Sequence, residues 1–395
     1  MLPVTAWAAG WTTARYALFA LAFAPLAYYL VALFAARRFF AAPRWVPPSP
    51  DFAPPISILK PVYGLDRETY ENYASFCAQI YPEYEILFGA SDEQDPAVSV
   101  IRKLIQDFPD RPIRLLIGSE RLGVSDKVNK LCRLAREAKH EILIVSDSDV
   151  FVGPDYLRAV VAPFADERIG GVTCLYRGLT DGSLAANLEA LGNSTDFAAG
   201  VLVAWLFSEV NFMLGATMAV RKTCLDEIGG FESMVDYFSD DYELGNRIAA
   251  KGHRVELIPQ AVSIVYPHQT MRQAFVHQMR WNLSIRFSRP AGHLGLIFTQ
   301  GLPLAIIGAI CAPSVVWGLG ILAAYVVLRT AVAWSIGVAG MRDLNLRRHL
   351  ELLLPRDIFA FVVWFASFFP RNILWRGKKF QVRDKKLVAI EDHPA

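Results

Sequence analysis

Several things are scarce in this 395-residue sequence. Cysteine comes first: Cys77, Cys132, Cys174, Cys224 and Cys311 are widely spaced, odd in number and never arranged as CxxC. Such a set supports neither a disulfide framework nor a zinc site, and fits reduced thiols in a cytosolic compartment. A charge imbalance is also missing, with 40 Lys and Arg against 38 Asp and Glu, a formal net charge of +2. Without an overall field or an aromatic-interleaved basic patch, nucleic acid is not an expected partner. Charge of either sign is sparse at 20%, whereas 53% of residues are apolar. The mean hydropathy of +0.29 is high for a soluble chain, and the excess lies at the two ends. A membrane protein with a soluble middle follows.

Residues 16–36, YALFALAFAPLAYYLVALFAA, carry no charge and are long enough to cross a hydrocarbon core of about 30 Å. The run is too long for the apolar region of a cleaved leader, so it is read as a retained span. Arg37, Arg38 and Arg44 follow it while only Arg15 precedes it, which places the next segment in the cytoplasm. APRWVPPSPDFAPP, residues 42–55, is a stiff proline-rich spacer. Between Leu294 and Gly340 the only charged side chain is Arg329, and Pro313 lies amid glycines. A helical hairpin broken near 312–320 is expected there. The block 357–375, interrupted by Pro370 and Arg371 and followed by a basic tail (Arg376, Lys378, Lys379, Arg383, Lys385, Lys386), is read as re-entrant or interfacial, because a full crossing would put that tail outside.

From Ile56 onward, ISILKPV, YEILFGASD, PIRLLIGS and EILIVSDSD alternate with helical stretches near 66–79, 96–107, 126–138 and 154–163. Strands alternating with helices predict a doubly wound, mostly parallel α/β sheet, with ligands at the carboxyl ends of the strands. The expected domains are an anchor and linker over 1–45, a cytosolic catalytic domain over 46–290, and a membrane hairpin, interfacial helix and basic tail over 291–395.

Asp147 and Asp149 end the strand EILIVSDSD. Adjacent carboxylates repel unless a cation sits beside them, and hard oxygen ligands suit Mg²⁺ or Mn²⁺ bridging to a nucleotide diphosphate. The alternative is a strand end that caps the helix beginning at Pro154. Asp92, at the end of the second strand, reads as a hydrogen-bond acceptor for a nucleotide base or ribose, or as a turn residue. Lys127 and Asn129 in SDKVNK open a helix, a place that favours phosphate; a solvated helix end is the other reading. Asp240 and Asp241 open another helix, either as caps or, for a carboxylate in a dry pocket, as a general base on an alcohol. His277, Arg280 and Trp281 of HQMRW share one helix face. Arg280 suits a bidentate diphosphate clamp and Trp281 a stacking surface, unless this is an aromatic helix at the bilayer interface.

Asp92, Asp147 in SDSD, Asp241 in DDY, and Arg280 with Trp281 resemble the D, D, D, (Q/R)xxRW signature of processive-type family 2 and family 21 glycosyltransferases. The chain is most similar to ceramide glucosyltransferases through ISILKPVYGLD, YPEYEILFGASDEQDPA, KVNKL, GGFESMVDYFSDDYELG and WRGKKFQV, from about residue 20 to residue 388. The resemblance implies a GT-A fold and an inverting transfer of a hexose, UDP-glucose being the expected donor, to the primary alcohol of a ceramide-like membrane lipid. It implies further that Asp92 and Asp147 serve nucleotide and metal, that Asp241 is the base, and that Arg280 and Trp281 close the site. Two departures stand out: His277 replaces the usual Gln or Arg, and Asp149 stands where the animal enzymes have glycine. Bacterial transferases that pass N-acetylglucosamine from its UDP donor to hopanoids are similar across the same motifs. The expected location is a bacterial inner membrane, with the catalytic domain cytoplasmic. A processive polysaccharide synthase uses the same motifs but needs more spans; an inactive membrane-anchored GT-A domain and a small-solute transporter are the readings from other classes. The stretch 193–215 is expected to bear on pocket size.

Overall fold

The β-branched and apolar runs read from the sequence form the strands of one eight-stranded sheet. In the computed structural model, which describes residues 4–42, 45, 49, 52–370, 372–375, 378–383 and 385–389, these are β1 (Ile56–Pro61), β2 (Tyr84–Ala90), β3 (Ile113–Ile117), β4 (Ile142–Val145), β5 (Val150–Phe151), β6 (Ile169–Leu179), β7 (Met218–Arg221) and β8 (Arg254–Val265). Arg44 of the spacer and Arg376 of the basic tail lie outside the described residues.

The strand order is β3-β2-β1-β4-β7-β6-β8-β5. β1, β2, β3 and β4 are mutually parallel, and every residue of β1, β2 and β4 is buried, which is why those strands read as continuous apolar runs. β7 runs antiparallel to both β4 and β6, and β5 antiparallel to β8. The sheet is therefore mixed: parallel where strand and helix alternate, and beyond that antiparallel at β4–β7, β7–β6 and β8–β5 but parallel between β6 and β8. The chain leaves β1 to build outward through β2 and β3, then returns to place β4 on the other side of β1. The reversal between β1 and β4 opens a crevice at their carboxyl ends, where doubly wound sheets bind ligands.

The chain divides into two units. One comprises Ala42–Ala186, Phe207–His268 and Arg371–Ala395 and holds this sheet, together with a small antiparallel sheet of β9 (Asn372–Trp375), β10 (Lys378–Arg383) and β11 (Lys386–Ala389) in the order β11-β10-β9.

The other unit, Met1–Ala41, Asn187–Leu206 and Gln269–Pro370, is helical. Among the described residues, three helices are long and apolar enough to cross a membrane: Thr12–Ala41, Leu184–Phe207 and Val315–Gly340. A fourth candidate is the pair Pro290–Thr299 and Gly301–Cys311, bent by 54°. The hairpin break falls at Ala312–Ser314, and Gly318 and Gly320, expected in the break, lie inside the next helix. Gly318 is needed there for space, since a Cβ at that position would lie 2.9 Å from the carbonyl oxygen of Ala309. The helix Leu353–Ala366 has 14 residues, about 21 Å at 1.5 Å per residue, short of a hydrocarbon core of about 30 Å.

The sequence reading missed Leu184–Phe207 as an apolar helix, because Glu189 and Asp196 interrupt it. Both acids are partnered inside their own unit. Arg329 donates to Asp196 at 2.6 Å and to Asp357 at 2.8 Å, and Arg356 donates to Asp196 at 2.8 Å. Tyr325 adds its hydroxyl to Asp357 at 2.6 Å, and Thr195 accepts from Arg329 at 3.1 Å.

Candidate active site

At the carboxyl end of β4 the chain turns through Asp147, Ser148 and Asp149 before β5, and four contacts fix the turn. Lys60, at the end of β1, donates from Nζ to the Asp147 carbonyl at 2.9 Å. The Ser146 amide donates to Leu59 O at 3.3 Å, the Val265 amide to Asp149 O at 2.9 Å, and Ser148 Oγ to Asp66 Oδ2 at 2.5 Å. Asp66 follows β1, so the turn is tied to both sides of the switch point.

The helix Asp126–Glu137 starts on the same edge of the sheet, with Ser125 as N-cap accepting from the Val128 amide. Lys127, in its first turn, reaches Asp147 Oδ1 at 2.9 Å and Asp240 Oδ2 at 3.1 Å. Asp240 and Asp241 open the helix Asp240–Ala250, and Asp241 Oδ1 accepts from the Tyr242 amide at 2.7 Å. Gly215, three residues before β7, sits between these groups. A Cβ there would lie 3.4 Å from Asp147 Oδ2, 3.4 Å from Asp241 Oδ2 and 3.9 Å from Lys127 Nζ. The antiparallel pairing of β7 with β4, Met218 opposite Val145, brings that glycine to the carboxyl end of β4. Asp147, Asp240, Asp241 and Lys127 thus converge in one place.

The electrostatics are those of an acid-rich cluster. Burial, then the charges of Asp147 and Asp66, push the Asp149 carboxyl up to about 7. Burial and Asp240 push Asp241 up to about 6, with Lys127 pulling the other way. Burial also brings the Lys60 ammonium down to about 7 against the pull of Asp147, Asp149 and Asp66. For Lys127, burial opposes the charge, but Asp147, Asp240 and Asp241 outweigh it and raise its pKa. Tyr176 on β6 is held well above its ordinary value by burial and by the charges of Asp241, Asp147 and Asp149, so it is a neutral hydroxyl.

The excess of negative charge beside Asp147 and Asp149 fits a divalent cation. Among the described residues no group of three or more His, Cys, Asp or Glu side chains is placed to hold one. Two carboxylates completed by phosphate oxygens and water are the way Mg²⁺ is ordinarily bound in nucleotide sites.

The remaining candidates lie elsewhere. Asp92 follows β2 on the same sheet edge, but its side chain is exposed and its Oδ1 accepts from the Gln94 amide at 2.8 Å, closing its own turn. Asn129 is buried, and its amide is committed to both backbone groups of Gly123, at 3.0 and 2.9 Å. It clamps the loop before Lys127 instead of presenting a free amide.

In the helical unit His277, Arg280 and Trp281 share the helix Met271–Ser288, and the His277 and Trp281 rings lie 5.0 Å apart. His277 Nδ1 is 2.5 Å from Glu189 Oε1. Glu189, fully buried, also accepts from Gln278 Nε2 at 3.0 Å and from Gln269.

Sequence reasoning missed Lys60, Asp66, Tyr176, Glu189 and Gly215. A lysine inside the buried run ISILKPV was the one available signal, because a charge there needs a partner.

A sheet with this switch point and this acid cluster is the GT-A fold of nucleotide-sugar transferases. A mannosyltransferase, PcManGT from Pyrobaculum calidifontis, solved in complex with GDP-Man and Mn²⁺, superposes with a TM-score of 0.55 over 90% of this chain and 99% of that one, at 20% identity. The profile of glycosyl transferase family 21 matches residues 17–388, and the chain belongs to that family. Ceramide glucosyltransferase 1 of Caenorhabditis elegans is 30% identical over 208 residues, 52% of this chain and 44% of that protein. A ceramide glucosyltransferase of Gibberella zeae is 30% identical over 135 residues, 32% of this chain and 26% of that protein. The chain therefore spans less than half the length of the curated relatives it matches.

Proposed function

We propose that this protein transfers one glucose from UDP-glucose to the primary hydroxyl of a ceramide-like membrane lipid, with inversion at the anomeric carbon. The observation that carries the reading is the convergence of Asp147, Asp240, Asp241 and Lys127 around Gly215 at the switch point of the sheet. In the proposed step Asp241, ionised, accepts the proton of the lipid hydroxyl. The oxygen then bonds to the anomeric carbon as the bond to the diphosphate breaks and UDP departs. A carboxylate held at about 6 is matched to this task near neutral pH.

Asp147 and Asp149 would hold Mg²⁺ or Mn²⁺, which supplies positive charge to the diphosphate leaving group. Lys127, bridging Asp147 and Asp240, places a further cation where the phosphates would lie. Asp92 serves the nucleoside from the neighbouring strand end, and Asn129 acts as a positioning residue through its grip on Gly123. Within the helical unit, His277 is oriented by Glu189, and the guanidinium of Arg280 and the indole of Trp281 on the same helix are of the chemistry that suits a phosphate and a sugar ring. The apolar helices suit a bacterial inner membrane, with the catalytic unit on the cytoplasmic side.

The test is an assay of the purified protein in lipid nanodiscs with ceramide, UDP-glucose and Mn²⁺, read by mass spectrometry. A monohexosyl lipid with a β linkage is expected. Product only from UDP-N-acetylglucosamine and a hopanoid would move the donor and acceptor. A long glycan would replace the reading with a processive synthase, and no product together with no Mn²⁺-coupled UDP binding would mark an inactive domain.

A further inference from the structure

The stretch WRGKKFQV has no role in the chemistry above, yet the small sheet that it enters reaches the loop carrying the acids. Residues 235–239 lead directly into Asp240 and Asp241. Within this loop the Tyr237 amide bonds locally, to Met234 O at 3.0 Å, while neighbouring backbone groups are satisfied from outside. Leu387 on β11 donates its amide to Asp236 O at 2.7 Å, and the Phe238 amide donates to Lys385 O at 3.2 Å. Tyr237 and Lys386 form an antiparallel bridge between them. Side chains add to the seam: Lys386 Nζ lies 5.4 Å from the Tyr237 ring centre, and Lys385 Nζ is 3.6 Å from Glu243 Oε1. Leu387 is buried.

The opposite side of the loop is tied to the segment that leads to Lys127. The Ser125 amide donates to Val235 O at 2.8 Å, and the Val124 amide to Asp236 Oδ1 at 3.0 Å. Gly123 permits this approach, since a Cβ there would fall 2.5 Å from Val235 Cγ2 and 2.7 Å from Asp236 Oδ1. Asp236 is thus held twice, by its carbonyl on the C-terminal strand and by its carboxylate on the loop before Lys127.

We infer that β11 is a positioning strap for the reaction: by pairing with residues 236–238 it sets Asp240 and Asp241 against Lys127, although no residue of the strand touches a reacting atom. The inference rests on Asp241 working at the reaction centre. A strap of this kind governs the geometry of the base more than the affinity for the donor.

Leu387→Pro removes the amide that Asp236 accepts, and Leu387→Ala keeps it. In the full chain in nanodiscs, Leu387→Pro is expected to lower kcat about 10²-fold, the cost of a misplacement on the order of an ångström, with the donor KM within about twofold. Leu387→Ala retains most of the activity. Wild-type kcat in Leu387→Pro, or equal losses in both variants, would overturn the inference. Amide exchange on the unmodified protein decides the matter if Leu387→Pro does not fold: protection of 236–238 and 385–388 comparable to that of β6 is expected, and exchange at the rate of an unstructured peptide would overturn it. Asp241→Asn in the same assay separates the two failures. Activity retained there sinks the role of the base, whereas loss there with a wild-type Leu387→Pro sinks only the strap.

Discussion

Two clusters of buried charge, one in each unit, invite comparison. In the helical unit Asp196 and Asp357 face Arg329 and Arg356, charge for charge, with Tyr325 and Thr195 supplying further hydrogen bonds. In the sheet unit Asp66, Asp147, Asp149, Asp240 and Asp241 gather together; among the described residues Lys127 pairs with Asp147 and Asp240, and Lys60 donates to the Asp147 carbonyl. The first cluster is complete and ties helices together in an apolar setting, where an unpaired charge would be costly. The second is left with excess negative charge; burial first, and neighbouring carboxylates second, push Asp149 up to about 7 and Asp241 up to about 6. Balance marks a structural device and imbalance marks a binding site.

The largest expected effect breaks the unbalanced side. Asp241→Asn should lower kcat by about 10²–10⁴-fold, the usual contribution of a general base, while leaving binding of UDP largely intact in a calorimetric titration. The wild-type profile should carry the same signature in pH. Because the working form is the ionised one, activity is present above the raised value of about 6 and declines as Asp241 takes up a proton below it. An acid limb near the ordinary carboxylate value of about 4, or substantial activity in Asp241→Asn, would refute the assignment.

Breaking the balanced side should cost stability instead. Arg329→Met strands Asp357 and leaves Asp196 with Arg356 alone among these arginines, so it should destabilise the helical unit by about 3–5 kcal/mol. Thermal unfolding in detergent measures this, and Mn²⁺ should not restore it. Arg329→Met combined with Asp357→Leu should recover much of the loss, because an apolar pair of similar volume replaces the buried ion pair and leaves no uncompensated charge at position 357, the Tyr325 hydroxyl being the group there that loses its acceptor.

The sequence made one of these clusters far more legible than the other. The parallel half of the sheet was readable because β1, β2 and β4 are buried on both faces and so appear as apolar runs punctuated by helices. Asp147, Asp241 and Lys127 were readable because they stand at strand and helix ends. Gly215 and Asp66 were not, since only the antiparallel return of β7 and the loop after β1 bring them to the site. The balanced cluster concealed its own helix: Glu189 and Asp196 lower the apolar signal of 184–207, and their partners lie at Arg329, Arg356 and His277. Asn129 misled in the opposite direction, since a helix-start amide reads as a phosphate ligand until its grip on Gly123 is seen.

A smaller effect tests the proposal that Asp149 is a metal ligand. Asp149→Asn should weaken Mn²⁺ binding by about 10–100-fold, at least what disturbing the surroundings of a metal ligand costs. Titration in the presence of UDP measures it. Unchanged affinity would shift the metal onto Asp147 and the diphosphate alone.

The smallest effect is the most discriminating, because it removes a comparable neutral hydrogen-bonding group from each cluster. Ser148→Ala deletes the hydroxyl donated to Asp66, and Thr195→Val deletes the one accepting from Arg329. Each should cost about 1 kcal/mol in the metal-free protein. In the acid cluster the lost donor was offsetting excess negative charge, so saturating Mn²⁺, with UDP present, should recover most of the Ser148→Ala deficit in melting temperature. In the balanced network no excess exists, and the Thr195→Val deficit should persist at every Mn²⁺ concentration. Equal recovery in both variants would mean that the cation stabilises the protein generally and that the two clusters do not differ in kind.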